Sequence, residues 1–307
     1  MDDSLHSFKR DLTYRNEAPC ARILEDLGRM AQWQREGAQR RARLTTLAWV
    51  SPLAGLFLLF AVFFVSNGLD SGAEAIAWLY YFVPLLLFVV PLVTIISREF
   101  LSTAGVDPRR QELVLQTMTL LQEDVSPEAL LTLQMDLRPA DHADKLAGTR
   151  TTRTGWNSKH YLDPWLSLQG RLLEGTSFQL DMTESLDQRS RSKRSRSGKT
   201  RYKTRRMEES FVRLRLRVKP ERYTQLLRIG EQARGAVRLP QGARLKALRV
   251  EEDRLDLTVR MNAPWVSAQA ADAISVAGTH VVAMAFLSLF HILHLSRALD
   301  KKARATR

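Results

Sequence analysis

LTTLAWVSPLAGLFLLFAVFFVSNGL, residues 44–69, holds no charged side chain, and neither does AIAWLYYFVPLLLFVVPLVTIIS, residues 75–97. Each is at least as long as the roughly 20 apolar residues a helix needs to cross a ~30 Å hydrocarbon core. Asp70 and Glu74 lie between the two runs. The pair therefore predicts a membrane hairpin with spans near 46–66 and 75–97. The fold class expected from this reading is an α+β membrane protein. An N-terminal two-helix transmembrane hairpin is followed by a mostly antiparallel β domain of about six strands with flanking helices.

Charge placement supplies an orientation. Arg35, Arg40, Arg41 and Arg43 precede the first run, Arg98, Arg109 and Arg110 follow the second, and residues 67–74 contain no Lys or Arg. Basic flanks stay in the cytoplasm. The expected location is a bacterial inner membrane, with the N terminus and the main domain cytoplasmic. More than 40 mostly polar residues precede the first apolar run, so no secretory signal peptide is read here. Cys20 is the single cysteine, so no disulfide can form within the chain. The bilayer is the first expected partner. Ser51 and Gly55 form a small-xxx-small pair on which a second copy could pack, which makes a homo-oligomer a further candidate.

Outside the apolar runs the period of the sequence changes several times. Cys20, Ile23, Leu24, Leu27 and Met30 follow helical spacing, so residues 1–43 are read as a cytoplasmic helical stalk leading to the hairpin at 44–97. Asp107-Pro108 opens a helix within a linker at 98–130, and Ser126-Pro127-Glu128 marks a second start or a turn. A β-rich domain then spans 131–262. Leu131, Leu133, Met135 and Leu137 alternate with polar residues, and Pro139 ends that strand. Residues 139–163 are polar and are read as loop. Trp165, Leu166, Leu168 and Leu172 form the next segment, and Phe178, Leu180 and Met182 the one after a turn at Glu174-Gly175-Thr176. The clearest strand is Phe211–Val218, FVRLRLRV, with an apolar face and a ladder of Arg213, Arg215 and Arg217. Residues 220–229 read as a short helix. Leu245, Leu248 and Val250 pair with Leu255, Leu257 and Val259 across the acidic turn Glu251-Glu252-Asp253. A small barrel or a sheet capped by helices would satisfy this order. Residues 263–307 carry a third apolar stretch and a basic tail. His280, Ser288, His291 and His294 fall on one stripe there, which favours a helix packed on the sheet or lying at the membrane interface.

The strongest signal outside the apolar runs is RSRSKRSRSGKTRYKTRR, residues 189–206. Ten of its 18 residues are Lys or Arg and none is acidic, in a chain of net charge +13. The candidate binding residues are Arg189, Arg191, Lys193, Arg194, Arg196, Lys199, Arg201, Lys203, Arg205 and Arg206. Such a run is expected to be a solvated, self-repelling loop at the end of a hairpin. Anionic lipid headgroups or an acidic protein partner are its expected ligands. Nucleic acid fits less well, because Tyr202 alone offers a stacking ring. Ser190, Ser192, Ser195 and Ser197 lie among the arginines, where phosphate would subtract charge.

The expected role is a membrane-anchored binding or scaffolding protein that presents this basic arm. The sequence contains no phosphate-cradling glycine loop, HExxH, paired CxxC, GxSxG or kinase set. No catalytic residue, metal ligand or cofactor is assigned. The alternative is a membrane-bound enzyme or metal-dependent protein using the polar segment 141–163, with Asp141, His142, Asp144, His160 and Asp163 as its chemistry. His291 and His294 share a helix face, but nothing on that helix completes a zinc set.

Overall fold

The computed structural model describes residues 7–8, 10–66, 92–93, 96, 107–194, 199–262, 265–267 and 276–305. The chain divides into two compact units, Met1–Gly28 with Gly105–Arg307, and Arg29–Ala104.

The first unit is built on an eight-stranded sheet. Its strands are β1 (Thr13–Pro19), β2 (Leu130–Asp136), β3 (Leu146–Thr151), β4 (Asn157–Arg171), β5 (Ser177–Arg194), β6 (Thr200–Arg217), β7 (Ala243–Val250) and β8 (Arg254–Asn262). The order is β1-β2-β4-β5-β6-β8-β7, with β3 alongside the first half of β4. Every pairing in it is antiparallel. Two-residue strands β9 (Trp265–Val266) and β10 (Val276–Ala277) form a separate parallel pair.

Alternation decides which face is core. Leu133 lies opposite Leu168, Leu180 opposite Leu214, and Val212 opposite Val259. All six are buried, together with Leu131, Met135, Leu216 and Leu257. Helix α2 (Pro108–Leu121) begins where Asp107 caps it, its carboxylate accepting from the Arg109 N–H at 3.0 Å, with Pro108 at the first helical position. Its buried side is Leu113, Val114, Met118 and Leu121. The C-terminal helix α4 (Gly278–Ala305) buries Val281, Val282, Ala285, Leu289, Ile292 and Leu293. Phe286 packs edge-on to Phe178 of β5, ring centroids 5.7 Å apart. Gly278 permits a close approach: a Cβ there would lie 2.4 Å from a Leu113 methyl and 3.0 Å from the Trp265 ring.

Several expectations are corrected in this unit. The sheet has eight strands rather than about six. Residues 13–19 are a strand, not part of a helical stalk, because TYRNEAP turns only Tyr14 and Ala18 inward. Residues 139–163 are not a loop: they hold β3 and the first half of β4. Every residue of β3 is exposed, so it has no buried face to impose apolar alternation. The stretch 220–229 forms two short 3₁₀ turns, Pro220–Arg222 and Leu227–Ile229, before a short helix α3 (Gly230–Ala236).

The membrane-hairpin fold class is also corrected. Among the described residues, one helix is long and apolar enough to cross a membrane, Gly278–Lys302, and half of its apolar window is buried. By length and composition this single C-terminal helix allows membrane association. Its buried face is part of the β domain's core. Residues 46–66, expected as the first span, are instead the continuation of a 47-residue helix α1 (Cys20–Ser66), in which stalk and apolar run are one element. The expected second span, 75–97, lies outside the described residues apart from positions 92, 93 and 96. In the second unit, Val50, Leu53, Phe57 and Phe60 of α1 are exposed.

Candidate functional site

Strands β5 and β6 are 18 residues each and pair without a register break from Ser177↔Arg217 to Arg194↔Thr200. The core under them is shorter. Beyond Leu186 and Ser210, buried positions stop and the two strands continue as a polar ribbon. Residues 189–194 and 200–206 of the basic arm are therefore strand rather than loop, which corrects the expectation for them. Backbone hydrogen bonding carried on from the core ladder holds the two strands paired, although neither face is apolar there. Arg196 lies outside the described residues. Arg189, Lys193, Arg194, Lys199, Arg201, Lys203, Arg205 and Arg206 are exposed and Arg191 is half-buried.

Register sorts these cations. Arg189 lies opposite Arg205, Arg191 opposite Lys203, and Lys193 opposite Arg201. Directly opposed residues share a face, with Cβ atoms roughly 4.5–5.5 Å apart, and like charges so placed are destabilising. Six cations thus stand in three consecutive rows on one face. The other face carries Ser190, Ser192, Thr204 and Tyr202, which is 83% exposed, together with Arg194 and Arg206.

The rows differ in what neutralises them. Arg189 pairs with Asp187 at 2.6 Å. A hydrogen bond from the Ser158 hydroxyl, with Arg189 beside it, holds the Asp187 carboxyl below its usual range, so it stays ionised. Arg205 lies over the Trp156 ring, 5.5 Å from its centroid. Arg191, Lys193, Arg201 and Lys203 have no carboxylate within ion-pair distance among the described residues.

The turn between β3 and β4 borders this face. Gly155 sits at φ +76°, in the left-handed region that favours glycine, and the Thr152 N–H donates to the Trp156 carbonyl at 2.8 Å. A Cβ at Gly155 would lie 4.0 Å from Arg191 Nε, so Arg191 passes over the turn. Arg150 of β3 pairs with Ser158, which pairs with Arg189, so Arg150 joins the same face. Arg150 and Trp156 were missed in the sequence because their segment was read as loop. Gly155 just before an aromatic was the one available signal.

The five residues of the alternative site are dispersed. His160 sits on the exposed face of β4 opposite Asp187. His142 Nδ1 accepts from the Asp144 N–H at 3.3 Å, Asp144 pairs with Arg138 at 2.8 Å, and Asp141 lies 3.6 Å from Arg206. Asp163 turns inward to a buried ion cluster. Arg110, 2% exposed, donates to it at 2.7 Å and also reaches Glu184, while Lys145 approaches it at 2.9 Å. Arg110 also lies over the ring of Trp165, which stacks on Trp265 at 6.0 Å, and the Trp265 indole donates to Glu184 at 2.8 Å. A cavity of about 230 Å³ opens beside this cluster, and its three arginines already face carboxylates: Arg109 with Asp107, Arg110 with Glu184, Arg206 with Glu208. His291 and His294 line an apolar groove with Leu120, Phe286, Leu287 and Phe290. Among the described residues no group of three or more His, Cys, Asp or Glu is placed to hold a metal ion.

No family model, curated protein or solved structure matches the chain.

Proposed function

We propose that the chain is a membrane-associated binding protein whose β5–β6 arm docks on anionic phospholipid. The observation that carries this reading is the stack of like-charged rows. Folding gains nothing from opposing Arg191 to Lys203 and Lys193 to Arg201, so the matching negative charge belongs to a partner. A lipid surface supplies it, each Lys or Arg near an anionic leaflet being worth about 1 kcal/mol. Two further features support a bilayer as the partner. Trp156 places an aromatic ring beside the cations, a residue type enriched at the membrane interface. The apolar half of α1 is uncharged over residues 44–66, and its described apolar side chains are exposed.

We place the protein at the bacterial inner membrane with its N terminus and β domain on the cytoplasmic side. Pairing of β1 with β2 supports the common location, because it keeps residues 13–19 and 130–136 on the same side of any bilayer. Arg35, Arg40, Arg41 and Arg43, just before the apolar run, support the cytoplasmic side.

The test is binding of the full chain to neutral vesicles and to vesicles containing 30% phosphatidylglycerol. The anionic-to-neutral ratio isolates the arm from apolar adsorption. The fourfold variant R191Q/K193Q/R201Q/K203Q should lower that ratio by about two to three orders of magnitude, from ~4 kcal/mol in total. Its thermal stability should be unchanged or higher. A variant that keeps the wild-type ratio overturns the reading.

A further inference from the structure

We infer that the two acid-free rows of the arm, Arg191 with Lys203 and Lys193 with Arg201, receive phosphomonoester groups, one dianionic phosphate to each row. This rests on the proposed docking of the arm to lipid and narrows it to a headgroup chemistry.

The register makes the two rows chemically alike. Each opposes one guanidinium to one ammonium across the same strand pair, with the order reversed from one row to the next. A guanidinium is a planar fork that engages phosphate through two parallel hydrogen bonds, and an ammonium adds a compact point charge. Each row therefore presents two positive charges over roughly 5 Å. The rows lie about 7 Å apart, two residues along the strand.

Charge complementarity separates the ligands. A phosphodiester headgroup carries a single negative charge and leaves half of a row unmatched. A phosphomonoester carries about 1.5 to 2 charges near neutral pH and presents three acceptor oxygens, enough for a fork and an ammonium together. The row below ends the site. Arg189 is held by Asp187 and Arg205 lies over Trp156, so the acid-free cluster stops at the Arg191–Lys203 row. Arg150 adds a fifth cation to the same face beside that boundary.

The shared chemistry is a phosphomonoester, and it has two sources, a lipid headgroup or a soluble phosphorylated molecule. Binding of the full chain is measured on two vesicle sets of equal surface potential. One contains phosphatidic acid, a phosphomonoester, and the other phosphatidylglycerol, a phosphodiester. Preference for phosphatidic acid by tenfold or more is expected. The variant R191K/R201K keeps every charge but removes both forks, and it should lose most of that preference while still binding phosphatidylglycerol vesicles. Competition with fructose 1,6-bisphosphate at constant ionic strength separates the sources. Displacement at micromolar concentration without a preference between vesicles assigns the rows to a soluble phosphomonoester. Equal binding to both vesicle sets, with no displacement, overturns the inference while leaving the anionic-lipid reading intact. An anionic-to-neutral ratio of one for both sets overturns that reading as well.

Discussion

One face of β6 carries positive side chains at both ends, and the two ends sit in opposite electrostatic surroundings. Toward the core end, Arg213 donates to Asp256 at 3.0 Å, Arg215 lies 3.2 Å from Asp181, and Arg217 lies 3.3 Å from Asp253. Each arginine has a carboxylate on a neighbouring strand or turn. Toward the tip, Arg201 and Lys203 stand opposite Lys193 and Arg191, and nothing within the described chain neutralises them. The same residue types on the same face of one strand therefore serve different ends. The matched arginines belong to the sheet's own surface. The unmatched ones cost folding free energy, and under the proposed function an anion from outside neutralises them. A third regime lies below the sheet, where Arg110 is buried and matched by Asp163 and Glu184.

The largest effect should come from that buried regime. Arg110→Met leaves Asp163 with Lys145 and Glu184 with only the neutral Trp265 indole, and removing one partner of a buried pair costs about 3–5 kcal/mol. Urea denaturation should show the loss, while the anionic-to-neutral vesicle ratio of folded protein stays at its wild-type value. A parallel fall in that ratio would break the separation between structural and ligand-facing charge.

A smaller effect of opposite sign is expected at the boundary of the arm. Asp187→Asn frees Arg189, extends the unmatched cluster by one row, and should strengthen binding to phosphatidylglycerol vesicles about fivefold, from ~1 kcal/mol. The sign in pH follows from the carboxyl's lowered titration: it is charged above the ordinary carboxylate range near pH 4 and becomes neutral only below it. The difference between variant and wild type should therefore hold flat across pH 5–8 and vanish on acidification below that range. A difference that changes within pH 5–8 would instead show that the effect does not come from the Asp187 charge.

The smallest effect belongs to the matched ladder. Arg213 is 44% exposed, so Asp256→Asn should cost at most about 1 kcal/mol by thermal denaturation. Vesicle binding should stay within twofold of wild type. A large gain in binding would show that the ladder too can serve as a lipid site when its acids are removed, and would blur the comparison.

How much of this was legible depended on whether a strand lies over the core. FVRLRLRV at 211–218 announced itself because one of its faces is buried, and so did LTLQMDL at 131–137. The outer ends of β4, β5 and β6, and all of β3, have no core beneath them. No apolar period was written there, and charge density alone suggested disorder for the arm. Asp163 looked like part of a polar loop, because its partner Arg110 is 53 residues away in sequence. Trp156 and Arg150 had no pattern that tied them to residues 189–206.

By itself the sequence determined the strand character of its core segments, through period-two burial, and the start of α2, through Asp107 and Pro108. It also determined the positive charge of the arm, since ten cations without an acid cannot be anything else. Only the tertiary structure decided which arginines are matched and which are not. Pairing across strands is set by register, and register joins residues remote in sequence, so Arg213 meets Asp256 while Arg201 meets Lys193. Tertiary contact likewise decided that the histidine-bearing C-terminal helix packs against the sheet, because its apolar face found Phe178 and the core.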